Sequence, residues 1–184
     1  RMHKKGDAIL VERATGKQVH HFDAGDVSAP QDITFSANGK MLATINRTGV
    51  IRLWDTATGK MLHSMHTDAS EGLYFRLRFT AKDKTLVSTT MKYGERFQTS
   101  QIIEWSTATG LAQARKDGPQ NMYWCQALSP DGKLLAWGGR HSKRLNELVE
   151  VWSVDKQDVR QTCDGVRGGV RLLGFSPDNR LLAT

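Results

Sequence analysis

The stretch Val50-Ile51-Arg52-Leu53-Trp54-Asp55-Thr56-Ala57-Thr58-Gly59-Lys60 decides the fold of this chain. Its first half predicts an apolar strand that ends in Trp-Asp, and its Thr-Gly end predicts a turn that sends the chain back. The pattern recurs at residues 101–110 and 148–155, and at 8–17 with Val11 in the place of the tryptophan. The copies lie about 40 to 50 residues apart, a period that indicates an array of repeated structural units.

A second landmark accompanies each copy. Residues 33–44 read as strand, turn and strand, and the same pattern returns at 77–88, 127–136 and 174–183. The turn Ser129-Pro130-Asp131-Gly132 has a physical basis, because Pro presets its φ, Asp bonds the backbone ahead and Gly accepts a positive φ. Short strands with two turn signals in each period predict an all-β propeller.

The two landmarks in register resemble the WD-repeat family, over essentially the whole chain. The resemblance implies an all-β propeller of four-stranded antiparallel blades, with strands named a to d from the ring axis outward. It implies that residues 1–184 form part of such a propeller, with about four blade equivalents. Strands c and d are expected at 7–22, full blades at 31–65, 72–115 and 121–163, and strands a and b at 170–184.

The chain departs from the family pattern in two places. The Gly-His pair that precedes strand a in the family is absent, and Thr48 stands where the family has an Asp between strands b and c. We therefore predict that the family's His–Ser/Thr–Asp–Trp hydrogen-bond network does not form. Packing must then hold the blades together, and we expect Trp54, Trp105 and Trp152 to be buried between them.

The two ends of the chain are complementary, since strands c and d come first and strands a and b come last. Left open, such an array would expose apolar surface and unpaired strand edges. We expect that further natural sequence completes the ring, or that a second copy pairs with the first into an eight-bladed homodimeric ring.

The length that varies between the repeats lies between strands b and c, at residues 91–99 and 140–147. Because strands alternate in direction, the b–c and d–a connections share one face of the ring. Lengthened loops on one face often mark the binding face of a repeat protein, although solvated length variation explains them equally well. The partner-binding candidates are Lys92, Tyr93, Arg96, Phe97, Arg140, His141, Lys143, Arg144 and Arg167. Lys116 adds to the basic residues of the same sector.

No motif predicts catalysis, a cofactor or a metal. The chain has no phosphate-binding or dinucleotide-binding glycine loop and no nucleophile elbow. His20 and His21 are adjacent, so on a strand they point to opposite faces and cannot share a metal ion. The prediction is a protein without enzymatic activity, with no catalytic residue, cofactor or metal ligand.

Composition sets the remaining expectations. The net charge of +7 permits an acidic partner without identifying one. Two cysteines on strands a and d of one blade lie too far apart for a disulfide, which favours reduced thiols and a cytoplasmic protein. No apolar run is long enough for a membrane span, so no membrane partner is expected.

We therefore expect a scaffold that binds a protein or peptide, without catalysis of its own. Two alternatives remain: a propeller enzyme whose ligands line the channel on strands a, and a binder of anionic polymers through the basic loops. Nucleic acid is disfavoured, because Trp124 and Trp137 fall within strands and leave Tyr93 and Phe97 as the only aromatics beside basic residues. A salt titration would separate an anionic polymer from an apolar protein contact.

Overall fold

The computed structural model describes residues 7–22, 29–67, 74–80, 82–93, 98–118, 122–140, 147–163 and 169–184. Within these ranges all regular secondary structure is β, in sixteen strands that form three four-stranded and two two-stranded sheets. In the same part of the chain, no helix is long and apolar enough to cross a membrane. The prediction of an all-β chain built from four-stranded antiparallel sheets is confirmed.

The first two strands, β1 (Ala8–Val11) and β2 (Gln18–Phe22), form the N-terminal half-blade. Blade 1 comprises β3 (Pro30–Phe35), β4 (Met41–Asn46), β5 (Val50–Asp55) and β6 (Met61–His66). Blade 2 comprises β7 (Tyr74–Thr80), β8 (Thr85–Tyr93), β9 (Gln98–Ser106) and β10 (Ala112–Asp117). Blade 3 comprises β11 (Met122–Leu128), β12 (Leu134–Arg140), β13 (Glu147–Ser153) and β14 (Asp158–Cys163), and β15 (Gly174–Phe175) and β16 (Leu182–Ala183) form the C-terminal half-blade.

The strands of every sheet follow chain order, and all neighbours are antiparallel. The register repeats from blade to blade, which explains the constant spacing of the sequence landmarks. On strands a and b the paired residues are Phe35 and Leu42, Phe79 and Leu86, Leu128 and Leu135, and Phe175 and Leu182. The strand b leucines of the three full blades also pair with the tryptophan of strand c: Leu42 with Trp54, Leu86 with Trp105 and Leu135 with Trp152.

The turns between strands a and b all contain residues with positive φ. These are Gly39 (φ 70) in blade 1, Lys82 (φ 56) and Asp83 (φ 67) in blade 2, Gly132 (φ 73) in blade 3 and Asn179 (φ 61) in the C-terminal half-blade. Asp83 is unexpected there, because an L side chain is strained at such a φ. Its buried carboxylate accepts hydrogen bonds from the backbone N–H groups of Ala37 (2.7 Å) and Asn38 (3.1 Å) in the turn of blade 1. The strained residue therefore joins the turns of two neighbouring blades.

The core lies between the blades. The inner strands β3, β7, β11 and β15 stand side by side, and each blade packs its face on the next. The three tryptophans of strand c are only 4% (Trp54), 3% (Trp105) and 5% (Trp152) exposed. Their predicted burial is confirmed, because each lies on the face that the preceding blade or half-blade covers.

The prediction that the family's hydrogen-bond network is absent is wrong for one of its links. Trp54 Nε1 donates to Thr44 Oγ1 (3.3 Å), and Trp105 Nε1 donates to Ser88 Oγ (2.9 Å). Both hydroxyls lie on strand b, two residues after the leucine that pairs with the tryptophan. In blade 3 the matching position holds Trp137, which is fully buried in the core instead.

Histidines of the outer strands make a different link between blades. Nε2 of His20 lies 3.0 Å from the carbonyl oxygen of Ala57, and Nε2 of His63 lies 3.1 Å from that of Ala108. A carbonyl only accepts, so Nε2 carries the proton in both. Each ring rests on the glycine of the next blade's c–d turn, where an added Cβ would lie 2.9 Å from the imidazole at both Gly59 and Gly110. The Thr-Gly ending of the repeat is thus required by contact with a neighbouring blade as well as by its φ of 70°.

Candidate functional site

The connections between strands b and c of blades 2 and 3 were predicted to be long loops. The structure corrects this for the ends of the predicted loops, because Met91 pairs with Ser100, Lys92 with Thr99 and Tyr93 with Gln98. In blade 3, Arg140 pairs with Glu147, and residues 94–97 and 141–146 lie outside the described residues. In blade 2 the extra residues lengthen the strands: β8 and β9 have 9 residues each, whereas β4 and β5 of blade 1 have 6.

The structure places three of the predicted partner-binding residues. Lys92 and Tyr93 are the last residues of the described part of β8, and Arg140 is the last residue of β12, so all three belong to strands rather than loops. The other candidates, namely Arg96, Phe97, His141, Lys143, Arg144 and Arg167, lie outside the described residues. All three described residues stand at hairpin ends on the face that carries the b–c and d–a connections, which we call the loop face.

Lys116 does not add a free positive charge to this sector. It lies within β10, where its Nζ is 2.8 Å from Glu104 Oε1 and 3.3 Å from Asp155 Oδ1 of blade 3. Burial lowers the pKa of Lys116, but the hydrogen bonds and charges of Glu104 and Asp155 outweigh it, so the pKa is raised. This lysine is charged and paired, and it joins blade 2 to blade 3.

A cavity of about 210 Å³ opens on the inner strands. It is lined by the middle residues of β3 and β7, by the last three residues of β11 and by Leu173, and we call it the inner-wall cavity. Three adjacent inner strands therefore contribute to one concave surface near the ring axis.

Asp32 is the one carboxylate that the described residues bring to this wall. Its Oδ2 accepts the backbone N–H of Leu77 in the next blade at 2.8 Å, and its Oδ1 accepts that of Ile33 at 3.0 Å. Burial raises the pKa of the Asp32 carboxyl, against the bond from Leu77 and the charges of Arg76 and Arg78. The carboxylate thus has both oxygens engaged by backbone N–H groups.

The same wall carries two arginines and a glutamine. Arg76 Nη1 donates to the carbonyl oxygen of Phe75 at 3.0 Å, whereas Arg78 is exposed. Among the described residues, neither guanidinium forms an ion pair with Asp32 within 4.0 Å. Gln126 Oε1 accepts the hydroxyl of Thr89 at 2.7 Å, and its buried Nε2 has no hydrogen-bond partner in the described part of the chain.

Sequence reasoning missed this wall because it searched the inner strands for His, Asp and Glu. The available signal was the pair Arg76 and Arg78, which lie two residues apart on strand a of blade 2. The equivalent residues on strand a of blade 3 are Cys125 and Ala127. Residues spaced by two share a face of a strand. Two like charges at such positions give this face of β7 a local positive charge.

Other reactive groups are structural. Cys125 is buried on β11 and Cys163 lies at the end of β14, and both thiols are free. Burial raises the pKa of Cys125, which keeps it as a thiol that lies 3.4 Å from the carbonyl oxygen of Val170. Across the ranges that the structure describes, no three His, Cys, Asp or Glu side chains are grouped to hold a metal ion.

Comparison with known proteins identifies two kinds of relative. Residues 2–126 match the family described as the Anaphase-promoting complex subunit 4 WD40 domain. The chain is 31% identical over 124 residues to WD repeat and SOCS box-containing protein 1 of Danio rerio, covering 66% of this chain and 26% of that protein. The protein of the same name from Xenopus tropicalis is 30% identical over 124 residues, with the same coverage. The chain thus spans about a quarter of the length of these curated relatives.

Proposed function

The chain belongs to the WD40-repeat family, and on this basis we propose that it is a non-catalytic scaffold whose loop face binds a protein or peptide. WD40 domains are in general protein-interaction modules that lack catalysis. The rigid blades support this role, because paired strands and inter-blade cores hold surface residues in place without needing a ligand.

The observation that carries the proposal is the lengthening of the b–c hairpins in blades 2 and 3 alone. Ladder pairs continue to Tyr93 and Gln98 in blade 2 and to Arg140 and Glu147 in blade 3. A hairpin that projects from a rigid sheet presents its end residues at low entropic cost, because its backbone is already ordered.

We propose that these two hairpin ends, with the neighbouring d–a connection, form the partner-binding surface. Its residues are Lys92, Tyr93, Arg96, Phe97, Arg140, His141, Lys143, Arg144 and Arg167. The names of the relatives support an interaction role, since one joins WD repeats to a SOCS box and the other belongs to a subunit of a complex. We place the protein in the cytoplasm, which its two free thiols favour.

We further propose that a second copy of the chain can cover the open side of blade 1. The N-terminal half-blade consists of strands c and d, and the C-terminal half-blade consists of strands a and b. Strands β15 and β16 of a second copy would complete the sheet of β1 and β2, and would cover the exposed Ile33 and Phe35 of β3. Each copy would then supply half of two shared blades.

Charge reversal tests the loop face. The triple variant Arg140→Glu, Lys143→Glu, Arg144→Glu should weaken binding of a captured partner about tenfold or more, because close charge pairs across interfaces couple by more than about 1.4 kcal/mol. Its melting temperature should stay near that of the natural chain, since exposed charges contribute typically below about 1 kcal/mol each.

The matched control reverses three exposed lysines at the turns of the opposite face, namely Lys17→Glu, Lys40→Glu and Lys133→Glu. Partners are captured by affinity purification with each variant, and the affinity of an identified partner is then measured in solution. Loss with the loop-face triple and retention with the control supports the proposal. Equal binding by both triple variants, with both folded, would contradict it.

A further inference from the structure

We propose that the inner-wall cavity binds a carboxylate from an acidic side chain of the protein partner, with Arg76 and Arg78 as the residues that hold it. This inference rests on the proposed function, because it takes the ligand to be part of a protein or peptide. It names the chemistry of one contact that such a partner makes.

The first argument is an excess of hydrogen-bond donors. Each guanidinium carries five N–H groups. In the described part of the chain, the bond from Arg76 to Phe75 is the one hydrogen bond that the two groups make. The Asp32 carboxylate attracts both guanidinium groups, but among the described residues it forms no ion pair with either within 4.0 Å, and its oxygens accept the N–H groups of Leu77 and Ile33.

The second argument is charge. Two arginines and one aspartate give the wall a formal net charge of +1 near the ring axis. The positive charge that Asp32 does not balance attracts an added anion. A carboxylate suits this site because its two oxygens match the planar fork of a guanidinium.

The third argument is size. The cavity of about 210 Å³ is below the range of about 300–1,000 Å³ that holds drug-sized ligands. It therefore suits one side chain or a small anion rather than a nucleotide or an organic cofactor.

The fourth argument is access from the loop face. Strand β7 begins at Tyr74, on the side of the d–a connections, and runs inward. Arg76 and Arg78 lie two and four residues along it, which is about 7 and 13 Å at the rise of a strand. An extended segment that enters the ring axis from the loop face therefore meets Arg76 before Arg78.

Gln126 adds a further donor to the same wall. Thr89 holds its Oε1, which orients the amide, and its Nε2 is left without a hydrogen-bond partner among the described residues. A buried amide N–H₂ that lacks an acceptor is costly, so an acceptor that enters the cavity is favoured when it relieves this group. The amide supports the choice of an anion over a cation.

The test uses fluorescein-labelled pentaglutamate as the probe and labelled pentaglutamine as its uncharged counterpart. The natural chain should bind pentaglutamate and not pentaglutamine. Arg76→Gln and Arg78→Gln should each weaken binding about tenfold or more, as expected for a lost charge-assisted hydrogen bond. Arg160→Gln removes an exposed arginine of β14, far from the inner strands in sheet order, and should leave binding unchanged.

A second readout separates binding at the site from a change in folding. In ¹⁵N-edited NMR spectra, the Nε–Hε signals of Arg76 and Arg78 should shift with pentaglutamate, while that of Arg160 stays in place. Equal weakening by all three substitutions, unshifted signals, or no binding by the natural chain would overturn the site. Free glutarate should compete only weakly, and competition as strong as that of the peptide would overturn a peptide ligand in favour of a small anion.

These outcomes are independent of the loop-face variants. The triple variant Arg140→Glu, Lys143→Glu, Arg144→Glu can leave partner binding intact while Arg76→Gln and Arg78→Gln abolish pentaglutamate binding. That result contradicts the proposed loop-face surface and supports the proposed cavity site. The opposite result supports the loop-face surface and contradicts the cavity site.

Discussion

Blades 1 and 2 carry the same repeat motif, but the two halves of blade 1 have different surroundings. We call strands c and d of a blade its outer half and strands a and b its inner half. In the outer half, Trp54 is covered by the N-terminal half-blade, where the ring of Phe22 lies 5.3 Å from its own. In the inner half, Ile33 and Phe35 of β3 remain 49% and 51% exposed. Among the described residues, β1 and β2 cover the outer half of blade 1, and no described strand covers Ile33 and Phe35.

Blade 2 shows the motif with both halves covered. Leu77 and Phe79, which match Ile33 and Phe35, are 4% and 6% exposed because blade 1 packs on them. The pairing within the sheets is equivalent, since Phe35 faces Leu42 as Phe79 faces Leu86. An apolar residue in this fold is therefore buried by the neighbouring blade, and pairing with the strands of its own blade is not enough to bury it.

The largest expected loss of stability comes from substitutions in the outer halves of blades 1 and 2, because both outer halves are covered by a neighbour. Trp54→Ala and Trp105→Ala should each lower the free energy of unfolding by about 3–5 kcal/mol, through lost burial and a residual cavity. Chemical denaturation measures both, with the exposed Val159→Ala of β14 as a control that changes little. A loss at Trp54 of less than about half that at Trp105 would mean that the half-blade does not cover blade 1.

The next effect compares the inner halves directly. Phe79→Ala should cost about 3–5 kcal/mol. Phe35→Ala should cost about 1 kcal/mol in the single chain, because a half-exposed side chain has about half of its transfer free energy to lose. Denaturation at low protein concentration checks the difference. Equal losses would show that strands a and b of another molecule or segment cover β3 in solution.

The smallest effect on the stability of a single chain is expected from Phe35→Glu, which places a charge on the open face. If a second copy covers this face, light scattering of the natural chain should give the mass of two copies, and Phe35→Glu should give the mass of one. The melting temperature at low concentration should change little, since the face is exposed there. Val159→Glu is the matched control, and a natural chain that scatters as a monomer at high concentration contradicts the pairing of two copies.

Much of the fold could be predicted because its signals are local. Strand and turn residues recur at constant spacing, and pairing between consecutive strands preserves that spacing as register. The candidate site could be predicted less well. Inserted length between strands b and c predicts loops, whereas in blade 2 much of it continues the ladder to Tyr93 and Gln98. Length alone does not distinguish a longer loop from a longer hairpin.

The sequence by itself determined the number and order of the strands, the positive φ of Gly39, Gly132 and Asn179 in their turns, and the burial of Trp54, Trp105 and Trp152. Each of these depends on residues a few positions apart or on the repeat itself. Only the tertiary structure decided that Asp83 holds the turn of blade 1 and that Asp32 bonds Leu77, contacts that join residues 46 and 45 positions apart. It also decided that Phe35 is exposed while Phe79 is buried among the described residues, because equivalent positions of two repeats differ in what packs against them, and no local pattern encodes a neighbour.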